Sequence, residues 1–240
     1  MEQLDENQRQ FLSVFKNLGM IIVKQEAELL EAFINFETAN QYRVYDEIGR
    51  FLLQVGEESD CLTRQCCTSG RAHMLHVIDN NLNEVLTLRS PWRPCMGPFC
   101  FACCDPCSHQ IHVYCCNKRI GYVEESCSLI QYTFRVYRDD ENPVFTINAP
   151  LCRWDACCCD DVYYVYDYQG SAVAQIRKKF AGIGKEVFTD ADTFGVQLPR
   201  HMHVLDKALL FAATFLIDFM FYENNNKSDN MMDRGIQIGR

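Results

Sequence analysis

The chain has 240 residues, of which 48% are hydrophobic, and 23 Lys and Arg stand against 32 Asp and Glu for a net charge of −9. That apolar content is ample for a sizeable core and excludes a globally disordered chain. The negative field repels phosphate, which argues against nucleic acid as a partner and leaves apolar contact or acyl chains as the means of any membrane attachment.

The polar start, Met1 to Gln10, lacks the basic-then-apolar layout of a secretory signal, so a reducing compartment is expected. The fifteen cysteines fit that expectation, because they cluster as neighbours: Cys66 with Cys67, Cys103 with Cys104, Cys115 with Cys116, and Cys157 to Cys159. Adjacent cysteines bond each other only with strain, so these read as thiols, metal ligands or acylation sites rather than a disulfide scaffold.

Between residues 8 and 36, Phe11, Val14, Phe15 and Leu18 have helical spacing, Met20 to Val23 is a short β-branched run, and Ala27 to Phe33 is helical in pattern again. From Tyr42 onward short apolar runs are cut by polar turns. Strands are predicted near 42–45, 51–55, 74–78, 84–88, 110–114, 119–123, 131–137, 143–147, 162–168, 172–176 and 194–198. Asp46 to Gly49, Asp79 to Asn83, Asp139 to Asn142, and Gln169 with Gly170 supply the turns. Eleven or twelve short strands at roughly regular spacing point to a closed barrel or a sandwich. Pro91 to Cys107, with four prolines and five cysteines, reads as an irregular loop. The expected organisation is an N-terminal segment 1–17, one domain 18–223 and a polar tail 224–240.

Ala208 to Tyr222 is apolar except for Thr214 and Asp218. As a helix it spans about 22 Å, short of a hydrocarbon core of roughly 30 Å. It has no polar face, so it belongs in a protein core or a membrane. Asp218 disfavours the membrane, since a carboxylate at that depth is costly. A core helix enclosed by strands is the preferred reading. No nucleotide loop, nucleophile elbow or pair of catalytic carboxylates is present, so no covalent catalysis is expected.

Several motifs, in order along the chain, resemble the phospholipid scramblase family. They are Gln25, Glu28, Leu29, Leu30 and Glu31 leading to Phe36, Glu37, Thr38, Asn40 and Tyr42; then Asp60 and Cys61 with Thr63, Arg64, Cys66 and Cys67; then Gly121 and Tyr122. The most specific stretch runs from Phe188, Thr189, Asp190, Ala191 and Asp192 through Phe194 and Gly195 to Phe215–Phe221 and Glu223. The resemblance implies a mainly β, tubby-like closed antiparallel barrel of about twelve strands around a single apolar C-terminal helix. It implies ATP-independent, Ca²⁺-linked movement of phospholipids in both directions between leaflets, and palmitoylation of a central cysteine cluster. It also implies a place at the cytosolic face of the plasma membrane, held by acyl chains or a single pass near the C-terminus. Membrane phospholipids are the implied partner, with protein partners and a homo-oligomer open. A palmitoylated lipid-binding adaptor without transport activity is the alternative.

Cys100, Cys103, Cys104 and Cys107 occupy the place of the family's acylated run, with Phe101, Ala102 and Asp105 interposed. Flanking Phe99 and Phe101 suit acylation, and stable attachment needs at least two chains. A zinc site using these cysteines with His109 and His112 is disfavoured, because a usual zinc module separates its ligand pairs by a dozen residues or more.

The family's EF-hand-like segment falls on Asp190 to His201. It places Asp190, Asp192, Phe194, Val196 and His201 at ligand positions one, three, five, seven and twelve, with Gly195 at the turn. Two side-chain carboxylates are too few for Ca²⁺, imidazole is a poor ligand for it, and Phe194, Val196 and Leu198 alternate as a strand would. Calcium affinity is therefore expected to be weak or absent.

Overall fold

The computed structural model describes residues 4–26, 38–58, 72–93, 108–126, 131–139, 142–150, 161–178 and 193–222. A short helix, α1 (Glu6–Leu12), and a 3₁₀ turn (Ser13–Phe15) lead into twelve strands. These are β1 (Met20–Glu26), β2 (Thr38–Asp46), β3 (Phe51–Glu58), β4 (His73–Asp79), β5 (Glu84–Ser90), β6 (Gln110–Cys115), β7 (Lys118–Ser126), β8 (Thr133–Arg138), β9 (Pro143–Asn148), β10 (Val162–Asp167), β11 (Ala172–Lys178) and β12 (Thr193–Gln197). The long helix α2 (Val204–Phe221) follows.

Every strand pairs antiparallel with its sequence neighbours, and β1 closes the ring on β12 by setting Ile21 opposite Val196, Ile22 opposite Gly195 and Val23 opposite Phe194. The strand period of two decides which side chains fill the ring. Phe134 and Val136 of β8 are buried while Arg135 between them is exposed; Ile111 and Val113 of β6, Leu53 and Val55 of β3, and Leu75 and Val77 of β4 point inward likewise. These rows surround α2, whose apolar side chains run all the way round because wall lies on every side of it.

The eleven runs predicted as strands coincide with β2 to β12, their ends moved by a few residues. The twelfth, β1, shows in the sequence only as the run Met20 to Val23. Ile21, Ile22 and Val23 are all buried, so the alternation that marks a strand is absent there. The helical pattern predicted over Ala27 to Phe33 lies outside the described residues.

The barrel has two unlike rims. At the first, the turn rim, short hairpins join β2 to β3, β4 to β5, β6 to β7, β8 to β9 and β10 to β11, and α2 enters. Here α1 is capped by Asp5, whose side chain accepts from Gln8 N while the Gln8 side chain accepts from Asp5 N. Leu12 and Phe15 are fully buried, and the Phe15 ring lies 5.6 Å from that of Phe211 of α2. At the second, the loop rim, α2 ends and the longer connections leave. Those after β3, β5, β7 and β9 contain thirteen of the fifteen cysteines.

Where Leu209 of α2 meets the wall, β7 carries Gly121. A methyl group there would lie 2.3 Å from the Tyr137 carbonyl oxygen and 2.8 Å from Leu209 Cδ2. Only a residue without Cβ lets wall and helix meet at this height.

Candidate functional site

The chemistry of the interior sits at the two ends of α2. At the turn rim His203 caps the helix, its Nδ1 accepting from Leu205 N at 3.3 Å. Asp206 receives a two-pronged bond from Arg138 of β8, Nε and Nη2 each at 2.9 Å. Lys207 is fully buried; its Nζ donates to the carbonyls of Leu18 at 2.7 Å and Arg200 at 2.9 Å. Burial holds the Lys207 pKa below its ordinary value. These bonds lock the entry of the helix to β8, to the segment just before β1 and to its own leader.

At the loop rim the buried Asp218 finds partners on two strands. Tyr42 of β2 donates its hydroxyl to Oδ2 at 2.8 Å, and Lys178 of β11 brings Nζ within 3.4 Å of Oδ1. Lys178 also lies over the rings of Phe194 at 4.3 Å and Tyr222 at 4.8 Å. Tyr222 donates to Asp161 at 2.6 Å and meets the Tyr163 hydroxyl at 3.0 Å; burial foremost raises its pKa. Phe215 packs edge-on against Tyr42 at 5.1 Å, and Phe221 against Tyr132 at 5.0 Å. The Asp218 and Tyr222 side chains at the end of α2 are thus answered by the wall, as buried charge requires.

Of the helix residues singled out in the sequence, Ala208, Phe215, Asp218 and Phe221 all lie in this helix and all are buried. Asp218, the residue that speaks against a membrane span, is the one the wall pairs. Sequence reasoning missed Lys178 as its partner. The signal was present, since the alternation that turns Ile176 inward also turns Lys178 inward.

The expected placement at the cytosolic face of the plasma membrane, held by acyl chains or a single pass near the C-terminus, is corrected at the single pass. Among the described residues no helix is long and apolar enough to cross a membrane. With its N-terminal turn included, α2 carries Asp206, Lys207 and Asp218, and all three are bonded inside the barrel.

The EF-hand-like positions are spread by the fold. Phe194 and Val196 are inward, buried residues of β12, paired with β1 on one side and β11 on the other. His201 is exposed in the link from β12 to α2 at the turn rim, whereas β12 begins at the loop rim. Five strand residues span about 17 Å, so the structure does not bring His201 near the start of β12. Asp190 and Asp192 lie outside the described residues, as do Cys100, Cys103, Cys104 and Cys107. The strand ends that flank both segments, Ser90 with Gln110 and Lys178 with Thr193, are on the loop rim.

His109 bonds Glu125 through Nδ1 at 2.7 Å, and His112 stacks on Tyr122 with ring centroids 5.6 Å apart. Among the described residues no group of three or more His, Cys, Asp or Glu is placed to hold a metal ion. The buried Cys115 thiol is pushed up to about 12, first by burial and then by its exposed neighbour Cys116.

Comparison with known proteins places this architecture. The Scramblase family model matches residues 1–224, covering α1, the barrel and α2. Phospholipid scramblase 2 of Bos taurus is 34% identical over 215 residues, which is 88% of this chain and 71% of the relative. Phospholipid scramblase 1 of Homo sapiens is 35% identical over 221 residues, 91% of this chain and 67% of the relative. Phospholipid scramblase family member 5 of Homo sapiens is 30% identical over 217 residues, 89% of this chain and 78% of the relative. No solved structure matches the chain. With a family model spanning the barrel and its helix, and relatives at this identity over most of the chain, the protein belongs to the phospholipid scramblase family.

Proposed function

We propose that this protein acts on membrane phospholipids, moving them in both directions between leaflets without ATP, with Ca²⁺ as a weakly bound regulator. The observation that carries this reading is the family match across residues 1–224, joined to relatives whose names describe phospholipid scrambling. In this reading Cys100, Cys103, Cys104 and Cys107 take palmitate, and Asp190 with Asp192 supply the acidic side chains toward calcium.

One observation favours a second reading. The described α2 is enclosed and bonded to the wall at both ends, and a polar headgroup needs a hydrated path that such a helix does not line. A palmitoylated lipid-binding adaptor without intrinsic transport needs no such path.

Reconstitution separates the two. Purified, acylated protein in symmetric vesicles carrying a fluorescent phospholipid is assayed for loss of dithionite-protected signal, without ATP and with or without Ca²⁺. Accelerated loss supports transport; no acceleration at any Ca²⁺ concentration favours the adaptor. Changing Cys100, Cys103, Cys104 and Cys107 to alanine should move the protein from the membrane to the soluble fraction. Full retention would contradict their acylation as the anchor.

A further inference from the structure

We propose that the turn rim is a docking surface for a phospholipid bilayer, with Ile48, Leu82 and Tyr168 as its inserted tips. The inference rests on the phospholipid reading above and names the part of the barrel that meets the lipid.

Three hairpins on this rim are copies of one turn. In each an aspartate, Asp46, Asp79 or Asp167, uses one carboxylate oxygen to accept from backbone N–H groups two and four residues on, at 2.8–3.1 Å. Its backbone N–H donates to the carbonyl four residues on at 3.0 Å in all three. The residue three beyond the aspartate has positive φ: 79° at Gly49, 63° at Leu82 and 79° at Gly170. Two copies place glycine there, as the left-handed conformation asks. The third places leucine.

Each copy lifts one large apolar side chain into solvent: Ile48 is 78% exposed, Leu82 62% and Tyr168 84%. A single exposed apolar residue is ordinary. Here three stand on hairpins that follow one another around the ring, β10–β11, then β2–β3 beyond β12 and β1, then β4–β5. Leu82 holds a strained backbone without packing in return, so local folding does not account for it.

The charges between the tips select the occupant. Arg50 and Arg200 are 69% and 70% exposed, while the acids they pair with, Asp46 and Glu47, are 3% and 24% exposed. Asp46 is further occupied by the N–H groups of its own turn. This arc therefore leaves its guanidinium groups more open to solvent than the acids they pair with, in a chain of net charge −9. Separate apolar tips with arginines between them suit a surface of phosphate headgroups over hydrocarbon. A fluid bilayer accepts each tip independently, and tyrosine favours that boundary. A protein partner would need a continuous patch, which three tips on separate hairpins do not make.

The test uses full-length protein without acyl chains and phosphatidylcholine vesicles, read by flotation. Changing Ile48, Leu82 and Tyr168 to asparagine together should lower vesicle partitioning at least about thirtyfold, each change alone giving about threefold. Leu82→Asn should leave the melting temperature unchanged or higher, because asparagine tolerates the left-handed position. Trp92→Ala on the loop rim should leave partitioning unchanged. A Tyr168→Trp variant that also carries Trp92→Phe and Trp154→Phe should show blue-shifted emission, quenched by brominated acyl chains.

Unchanged partitioning of the triple variant, or unquenched emission, overturns the proposal. So does a change of oligomeric state by light scattering in place of a change in vesicle binding, since the tips would then be protein contacts. Docking with no lipid movement refutes the transport reading alone. Lipid movement that survives loss of the tips refutes the docking alone.

Discussion

The two rims solve the same problem, ending a closed barrel in water, by opposite means. At the turn rim each connection is a few residues long, three are held by an aspartate on its own backbone, and α1 covers the interior. At the loop rim the connections are long, hold thirteen cysteines, and leave the end of α2 to be tied by side chains: Tyr42, Lys178, Asp161 and Tyr163. The hairpins of the first rim are fixed by local backbone bonds, while α2 is tied at both rims by contacts between residues far apart in sequence. The rims also offer different ways to meet a bilayer, apolar tips at one and acylated cysteines at the other.

Removing one side of the loop-rim latch should cost the protein most. Lys178→Met leaves the Asp218 carboxylate buried without its cation and should destabilise the protein by about 3–5 kcal/mol in urea unfolding. Joining it to Asp218→Leu should recover most of that loss, because an apolar pair of similar volume can replace a buried ion pair. A double variant no more stable than Lys178→Met would show that the pair is not what holds the helix end.

Gly121→Ala comes next, since the added methyl meets a backbone carbonyl that cannot swing aside. A loss of about 1–3 kcal/mol is expected, read from the same unfolding curves. Full stability would mean that α2 does not press on β7.

The smallest effect is on the outer wall. His76 of β4 bonds Glu84 at 2.6 Å and Glu58 at 3.0 Å, and the Glu84 bond foremost raises its pKa above the ordinary value. A raised folded pKa stabilises fully below the unfolded value near 6.5 and is lost as pH climbs through the folded pKa. Both glutamates are about half exposed, so screening keeps the effect below about 1 kcal/mol. His76→Gln should therefore lower the melting temperature near pH 6 and hardly at all by pH 9. A difference that grows with pH would contradict the assignment.

Much of the fold was legible because a barrel wall writes its two faces as alternation, clear in Phe134, Arg135 and Val136. The helix was legible for the converse reason: surrounded on every side, it has no polar face to keep. β1 escaped because Ile22 is buried as well as its inward neighbours, which erases the period. Asp206 and Lys207 escaped because charges in the first turn of a helix ordinarily mean solvent, and only Arg138 and the carbonyls of Leu18 and Arg200 make them interior groups. The EF-hand-like spacing and the alternation of Phe194, Val196 and Leu198 gave competing readings of one stretch, and the backbone follows the alternation. The shared geometry of the three turns was not visible, because Leu82 sits where the glycine signal is expected.

That α2 is sealed inside the barrel is tested most directly by hydrogen exchange of its amides in lipid-free buffer and again with vesicles. Val204–Phe221 should exchange among the slowest segments of the chain, at a rate set by global unfolding, and vesicles should leave it unchanged. Fast exchange of this helix in lipid-free protein with the strands still protected would contradict the enclosure.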